Sequence, residues 1–283
     1  DLISELRDAG VEAHDDPHVR GLYATDASIY QVAPFGVVVP MSVEQIPGIL
    51  RICAKHGAPV LPRGGGTSLA GQCVNEAIVL DVSQHCHQLV SFNPEKHTCT
   101  VQPGMTIDDL NDLIAEHGLF FAPDPSTARQ ANIGGCIGNN AAGVHSVLYG
   151  RTSESVLSIE ACLSDGRVMR FEEGAAARDP GVREITHRVV DVIRRHATLI
   201  RERFPKTMRR SSGYQLDVLL NQLEDAEWDA ERVNLAPLLV GSEGTLALTI
   251  GAELQLHQIP QSKSLGVLSF RSKEGRRGKR EGK

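Results

Sequence analysis

The apolar positions of this chain change period several times between residues 35 and 120. A continuous run, "FGVVVP" (Phe35 to Pro40), has the length of a buried strand and is closed by proline. In the following "SVEQIPGILRICAKHG", Ile46, Ile49, Leu50 and Cys53 recur at helical spacing. Ser42 and Gln45 supply a capping box there, and Gly57 a stop. "APVLP" predicts a second strand and "AIVLDVS" (Ala77 to Ser83) a third. Strand, helix and strand in that order predict a βαβ unit with parallel strands. In "QLVSFNPEKHTCTVQPG", Val90 and Phe92 alternate before Asn93-Pro94, and Thr98, Thr100 and Gln102 alternate with Cys99 and Val101 after it, which predicts a hairpin. "TIDDLNDLIAEHG" predicts an amphipathic helix capped by Thr106 and ended by Gly118.

Beyond residue 120 the periodicity fades. "FFAPDPSTARQANIGGCIGNNAAGVHSVLYGRT" is rich in Gly, Asn, Ala and Ser and reads as one long loop, which inside a compact domain points to function. "VLSIEACLSDGRVMRF" predicts a strand, an Asp-Gly turn and a returning strand. Val182 to Phe204 is helical in pattern and heavily basic, most simply a solvated surface helix. "LAPLLVGSEGTLALTIGAELQLHQIP" predicts a turn, a short helix and a long strand. The final "RSKEGRRGKREGK" is glycine-laced and cationic without an apolar face, so it reads as a disordered tail that cannot join a core.

Composition narrows the function classes. With 283 residues, 41% hydrophobic and 23% charged, the chain can bury a substantial core. A net charge of −6 and 4% aromatics argue against a general nucleic-acid binder. No apolar run reaches the roughly 18–20 residues of a membrane span. "DLISELRDAG" lacks the basic and apolar regions of a signal peptide. None of the six cysteines stands in Cys-x-x-Cys, so buried free thiols in a reducing compartment are expected. His85-Cys86-His87, read as strand, would point to opposite faces and is rejected as a metal site.

The candidate chemistry lies in "LPRGGGTSLAG" (Leu61 to Gly71). Three consecutive glycines weaken whatever they sit in, unless something must approach the bare backbone. A loop of amides at the end of a strand makes a concave anion site. The segment leads to another strand, unlike Gly-x-Gly-x-x-Gly opening a helix, and it lacks the Gly-Lys-Ser/Thr of a P-loop. A second small-residue segment (Asn132 to Gly143) and the turn "GSEGT" (Gly241 to Thr245) imply an extended phosphate ligand gripped from both sides, the shape of a dinucleotide.

In their order along the chain, "PRGGGTSLAG", "APDPSTARQANIGGCIGNNAAG" with "YGRTSESVLSIEACLSDG", "SSGYQLD" and "LLVGSEGTLALTIGAELQL" resemble the FAD-binding domain of the vanillyl-alcohol oxidase (PCMH) type of flavoprotein. Within it they resemble the D-2-hydroxy-acid dehydrogenases (D-lactate, glycolate and D-2-hydroxyglutarate types). "YATDASIYQVAPFGVVVP" matches best the version fused to an iron–sulfur domain. The resemblance runs from about Tyr23 to Pro260. It implies an α+β fold of two lobes with the flavin between them: 1–22 a lead-in helix, 23–81 the first lobe, 82–260 the second, and 261–283 a tail or the start of a further domain.

The resemblance also implies site residues. Arg63, Gly64, Gly65, Gly66, Thr67 and Ser68 would wrap the FAD pyrophosphate, with Gly71 and Gln72 closing the loop. Pro123, Asp124 and Ser126 would run along the flavin. Gly134, Gly135, Ala142 and Gly143 would continue the second cradle, and Ile250 would meet the adenine end through its backbone. Members with covalent flavin carry His where Thr67 stands, so noncovalent FAD is expected. The implied reaction is hydride transfer from the α-carbon of a D-2-hydroxy acid to the flavin, with electrons passed to a quinone, a cytochrome or an electron-transfer protein and not to NAD.

The catalytic base is expected in a later substrate domain with a His-Pro-x-Gly-Asp metal motif. That divalent metal and the iron–sulfur cluster are therefore expected only beyond this segment, which reads as truncated before the substrate domain. Arg210 and Tyr214, with Arg209, are possible substrate contacts, weighed equally against a surface loop. Asp124 and Glu243 read as loop anchors, and His145 as a structural histidine. The expected location is cytoplasmic, or peripheral at the inner membrane through the acceptor. The alternatives are an O2-using flavin oxidase of a sugar or alcohol, and a non-catalytic nucleotide-binding module.

Overall fold

The computed structural model describes residues 1–207, 210, 211, 213–262, 264, 266, 267 and 269. Arg209 and the cationic tail at 271–283 lie outside the described residues. The first lobe contains α1 (Leu2–Asp8), β1 (Glu12–His14), α2 (Pro17–Leu22), β2 (Gly36–Val39), α3 (Ile46–Lys55), β3 (Val60–Arg63) and β4 (Ile78–Asp81). Its strands run in the order β1-β2-β4-β3. The expected βαβ unit forms with β4 inserted at its centre, parallel to both β2 and β3. Every residue of β2 and β4 is buried, as strands covered on both faces require.

Residues 1–22 do more than lead in. β1 pairs antiparallel with β2 and closes the sheet edge, while Ile3, Leu6, Val11 and Ala13 join the first-lobe core. The capping box at Ser42 does not form, because Ser42 makes no side-chain cap bond to the short 3-10 turn that follows it. Gln45 instead accepts from the Met41 amide at 2.8 Å and donates to the Gly10 carbonyl at 3.2 Å. Gly57, at φ +64, ends α3 as expected.

The second lobe contains β5 (Leu89–Asn93), β6 (Thr98–Val101), α4 (Ile107–Ile114), β7 (Leu119–Phe120), α5 (Ile133–Asn139), α6 (Ser146–Tyr149), α7 (Thr152–Ser155), β8 (Val156–Cys162), β9 (Val168–Phe171), α8 (Ala175–Arg178), α9 (Pro180–Arg203), α10 (Leu216–Asp225), α11 (Ala236–Leu239), β10 (Leu248–Gln255) and β11 (His257–Gln258). Five strands form one antiparallel sheet, β5-β6-β10-β8-β9, and β11 pairs with β7. Thr106 caps α4 by accepting from the Asp109 amide at 3.1 Å.

Several segments differ from the sequence expectation. The supposed long loop contains α5, whose Ile133, Cys136 and Ile137 are buried. Burial on one face outweighs the poor helix propensity of its glycines. Helix α9 is not merely solvated, since Val182, Thr186, Val190, Ile193, Ala197 and Ile200 form a buried stripe at helical spacing. His85-Cys86-His87 lies outside any strand, with His85 in a turn and Cys86 buried.

The lobes share apolar contacts at one edge. Cys162 of β8 and Leu248 and Ile250 of β10 belong to the same buried cluster as Ile49, Leu50 and Cys53 of α3. A large-to-small change at such a position costs roughly 2–5 kcal/mol. Five buried cysteines lie in the cores. Burial pushes the thiols of Cys99 and Cys136 up to about 12, from an ordinary 9.0, and those of Cys53, Cys86 and Cys162 up to about 11.

The sign of the resulting pH dependence follows from linkage. Between pH 9 and 12 the unfolded chain releases thiol protons that the folded chain keeps, so stability present below the ordinary thiol pKa is lost as pH rises. Melting temperatures measured across this range are expected to fall, and less steeply for Cys99→Ala than for the unaltered chain. A slope unchanged by the substitution would contradict this.

Candidate functional site

Strand β3 delivers the chain to Arg63, which fixes the base of the glycine loop. Its guanidinium donates to the carbonyls of Tyr23 (2.9 Å), Cys73 (3.0 Å) and Thr25 (2.7 Å) and lies 5.2 Å from the centre of the Tyr23 ring. The Tyr23 hydroxyl donates to Asp81 Oδ2 at 2.7 Å. Burial, and then Asp81, push that phenol up to about 12. Buried Asp81 also accepts from the Ser83 amide (2.8 Å) and hydroxyl (2.6 Å), so a charge at the end of β4 has its partners. Asp26 ties the returning loop to this base, accepting from the amides of Ser28 at 2.8 Å and Cys73 at 3.2 Å. Its partial burial acts to raise its pKa, but the Ser28 and Cys73 hydrogen bonds and the Arg63 charge outweigh it and hold the carboxyl low.

The glycines are required because the second lobe closes on them. A Cβ on Gly64 would run into the Asn132 side chain, and one on Gly65 into the Gln130 carbonyl. Gly66 adopts φ +63, and its carbonyl accepts from the Ala27 amide at 3.0 Å. The facing wall is α5 with the "GSEGT" turn docked on its end: the amides of Gly241 and Glu243 donate to the carbonyls of Ile137 and Gly138, each at 2.9 Å. Glu243 is held at φ +50, and Gly241 and Gly244 of the same turn also have positive φ. Tyr214 hydroxyl lies 2.9 Å from Thr245 Oγ1 of the same turn, and neither residue lines the crevice between the walls.

Between these walls lies an open crevice of about 110 Å³. It is lined on one side by Leu61 to Gly64, Ser68, Gln72 and Cys73, and on the other by Gly134, Gly135, Gly138, Asn139 and Ser242 to Gly244. Two features of its lining bear on what it could hold. A Cβ on Gly135 would meet nothing within 4 Å, so no protein neighbour demands a glycine there. Asn139 Oδ1 is buried without a hydrogen-bond partner, an acceptor that a ligand donor would satisfy.

Of the residues singled out in the sequence, Arg63, Gly64, Ser68, Gln72, Gly134 and Gly135 line the crevice. Gly65, Gly66, Thr67 and Gly71 belong to the same loop but lie outside that lining. Gly71, at φ +80, has the Tyr30 ring where a Cβ would go. Pro123, Asp124, Ser126, Ala142 and Gly143 also lie outside it. Asp124 Oδ1 accepts from the His145 amide at 2.9 Å, and its Oδ2 lies 3.0 Å from His145 Nδ1. Gly143 is pressed against the Asp124 backbone, where a Cβ could not fit.

The Ile250 side chain is in the core, but the pairing of β10 with β8 skips Ile250, passing from Thr249–Ala161 to Gly251–Glu160. This bulge lies beside crevice-lining Leu248 and Thr249. Arg210 is held by Asp217 at 2.5 and 2.7 Å and lies 4.9 Å from the centre of the Phe204 ring. Asn132, at the N-cap of α5, and Asn139, its last residue, carry no local sequence signal beyond being polar at the two ends of a small-residue segment.

Among the described residues, no helix is long and apolar enough to cross a membrane, and no group of three or more His, Cys, Asp or Glu side chains could hold a metal ion. Residues 34–172 match the family model described as FAD binding domain. The chain is 35% identical over 259 residues to a D-2-hydroxyglutarate dehydrogenase of Escherichia coli (strain K12), covering 88% of this chain and 25% of that protein. It is 27% identical over 264 residues to the mitochondrial D-lactate dehydrogenase [cytochrome] 1 of Saccharomyces cerevisiae (strain ATCC 204508 / S288c), covering 92% and 35%. The chain thus spans about a quarter of the length of the D-2-hydroxyglutarate dehydrogenases it matches. A solved alkyldihydroxyacetonephosphate synthase superposes with a TM-score of 0.63 at 17% identity, over 92% of this chain and 41% of that one, which establishes a shared fold.

Gly135 separates a structural from a ligand-binding role by sign. Gly135→Ala is expected to stabilise the apoprotein by about 0.5–1 kcal/mol, the difference between Gly and Ala in a helix. The added methyl nevertheless narrows the crevice, so FAD titration should show weaker binding for Ala and weaker still for Gly135→Leu. Equal affinities in all three folded proteins would remove Gly135 from the site.

Proposed function

We propose, starting from the membership of this chain in the FAD binding domain family over residues 34–172, that it is the cofactor-holding part of a flavoprotein dehydrogenase acting on D-2-hydroxy acids. The observation that carries the reading is the crevice walled by small residues of both lobes, with an orphaned acceptor at Asn139 and space in front of Gly135. An extended phosphate cofactor needs close backbone approach from two sides, and these walls permit it. The substrate class comes from the relatives that carry D-2-hydroxyglutarate and D-lactate in their names.

In this reading the loop from Arg63 to Gln72 and the wall from Gly134 to Asn139 hold the cofactor. The skipped backbone at Ile250 faces its adenine end. Pro123, Asp124, Ser126, Ala142 and Gly143 extend the binding surface beyond the crevice. Bound FAD supplies the acceptor for the hydride leaving the substrate α-carbon. Arg63 does not serve as a free cation, since its guanidinium is already held by three carbonyls. Its contribution is rigidity at the base of the loop.

Among the described residues lining the crevice, the other titratable side chains are Cys73 and Glu243. We therefore assign this segment cofactor binding and orientation. The proton acceptor for the substrate hydroxyl, the divalent metal and the iron–sulfur cluster are assigned to other parts of the whole protein. Electrons would leave to a quinone, a cytochrome or an electron-transfer protein, in the cytoplasm or at the inner membrane surface. No histidine lines the crevice and Thr67 stands in the glycine loop, which supports noncovalent attachment.

A visible spectrum of the protein titrated with FAD tests the reading. Flavin bands shifted from those of free FAD are expected, and acid precipitation should release all flavin into the supernatant. A protein that shifts no flavin band would overturn the cofactor assignment, and yellow precipitate would overturn noncovalent attachment. After reduction, slow reoxidation in air is expected of a dehydrogenase. Rapid reoxidation would instead favour an oxidase.

A further inference from the structure

Asn132 occupies the N-cap of α5, where an Asn side chain ordinarily accepts from amides of the first turn. Here it makes no cap bond. Backbone groups serve the start of the helix, with the Ile133 amide donating to Met105 O at 2.7 Å and the Gly134 amide to Pro103 O at 2.8 Å. The Asn132 side chain is thereby released to act elsewhere. Its Oδ1 accepts from the Gly65 amide at 2.5 Å, and its Nδ2 donates to the Gly104 carbonyl at 2.5 Å. The residue is 4% exposed, so both bonds are made out of water.

The bonds lead to different lobes. Gly65 belongs to the glycine loop of the first, and Gly104 to the turn after β6 in the second. The same contact explains why Gly64 tolerates no Cβ, since that atom would strike Asn132. An amide engaged at both ends is directional in a way that apolar contact is not.

We propose that Asn132 is a positioning residue for the cofactor. It clamps the glycine loop to the second lobe and so sets the crevice wall on which a pyrophosphate lies. This inference rests on the reading of the crevice as the FAD site. It also refines that reading: the Gly65 N–H is committed to Asn132 and is withdrawn from the amides available to phosphate, while Gly64 and Ser68 remain on the crevice side.

The test compares the unaltered chain with Asn132→Ala, Asn132→Ser and Gly64→Ala, with Gly64→Ala also placed in the Asn132→Ala background. Serine can cap α5 but is too short to reach Gly65, so this variant should keep the fold while losing the clamp. Calorimetric titration gives Kd for FAD, for ADP and for riboflavin, with melting of each apoprotein as the control for folding. Loss of the clamp is expected to weaken FAD and ADP by about tenfold or more and to leave riboflavin unchanged. Gly64→Ala should cost less in the Asn132→Ala background than alone, because the obstructing amide has gone. A merely structural residue would lower the melting temperature without this selectivity for pyrophosphate. Unchanged FAD and ADP affinity in folded Asn132→Ser, or strictly additive effects, would overturn the inference alone. Failure of the unaltered chain to bind FAD would overturn both the inference and the reading beneath it.

Discussion

Two backbones approach so closely at the glycine loop that no side chain fits between them. Gly64 and Gly65 lie where a Cβ would collide with Asn132 and with the Gln130 carbonyl. The rest of the site depends on this closure, because it draws the end of a parallel strand in one lobe against the start of a helix in the other. Glycine's entropic cost is accepted here for steric reasons that precede any ligand. The Gln130 contact is with a backbone oxygen, so rearranging a neighbouring side chain cannot relieve it. The crevice is the space left beside this contact.

Rigidity around the closure comes from two polar side chains, each held by at least three hydrogen bonds. Arg63 gathers three carbonyls, and Asp81 gathers a phenol, a hydroxyl and an amide. Hydrogen bonds involving an ionised partner are roughly twice as strong as neutral ones, so a short loop can be held with few residues. Cys162, Leu248 and Ile250 add an apolar contact between the lobes by sharing a buried cluster with α3. The crevice walls are therefore held by the protein's own contacts, and in the proposed reading the open space before Gly135 is left for the cofactor.

Much of this was legible in the chain, and the rest had physical reasons to stay hidden. Period and punctuation gave β2, α3, the β5–β6 hairpin and α4 with its Thr106 cap, because each is a local pattern. The triple glycine announced a close approach, yet its partners lie more than sixty residues away and leave no local sign. Helix α5 was masked by its glycines, and its identity rests on the burial of Ile133, Cys136 and Ile137. Strand β1, three residues long, is too short to show alternation. In α9 the basic face concealed a buried stripe of six residues. Six of the predicted cofactor residues line the crevice, whereas Asp124 and Gly143 meet around His145 outside its lining. Composition alone could not distinguish the two groups, since small residues line both.

Hydrogen exchange of the chain with and without FAD tests most directly whether both lobes hold one cofactor. Slowed exchange is expected in the glycine loop at 64–68 and in the facing wall at 134–139 and 241–245, appearing together at the same FAD concentration. Protection confined to one wall, or absent from both while flavin is bound, would contradict it.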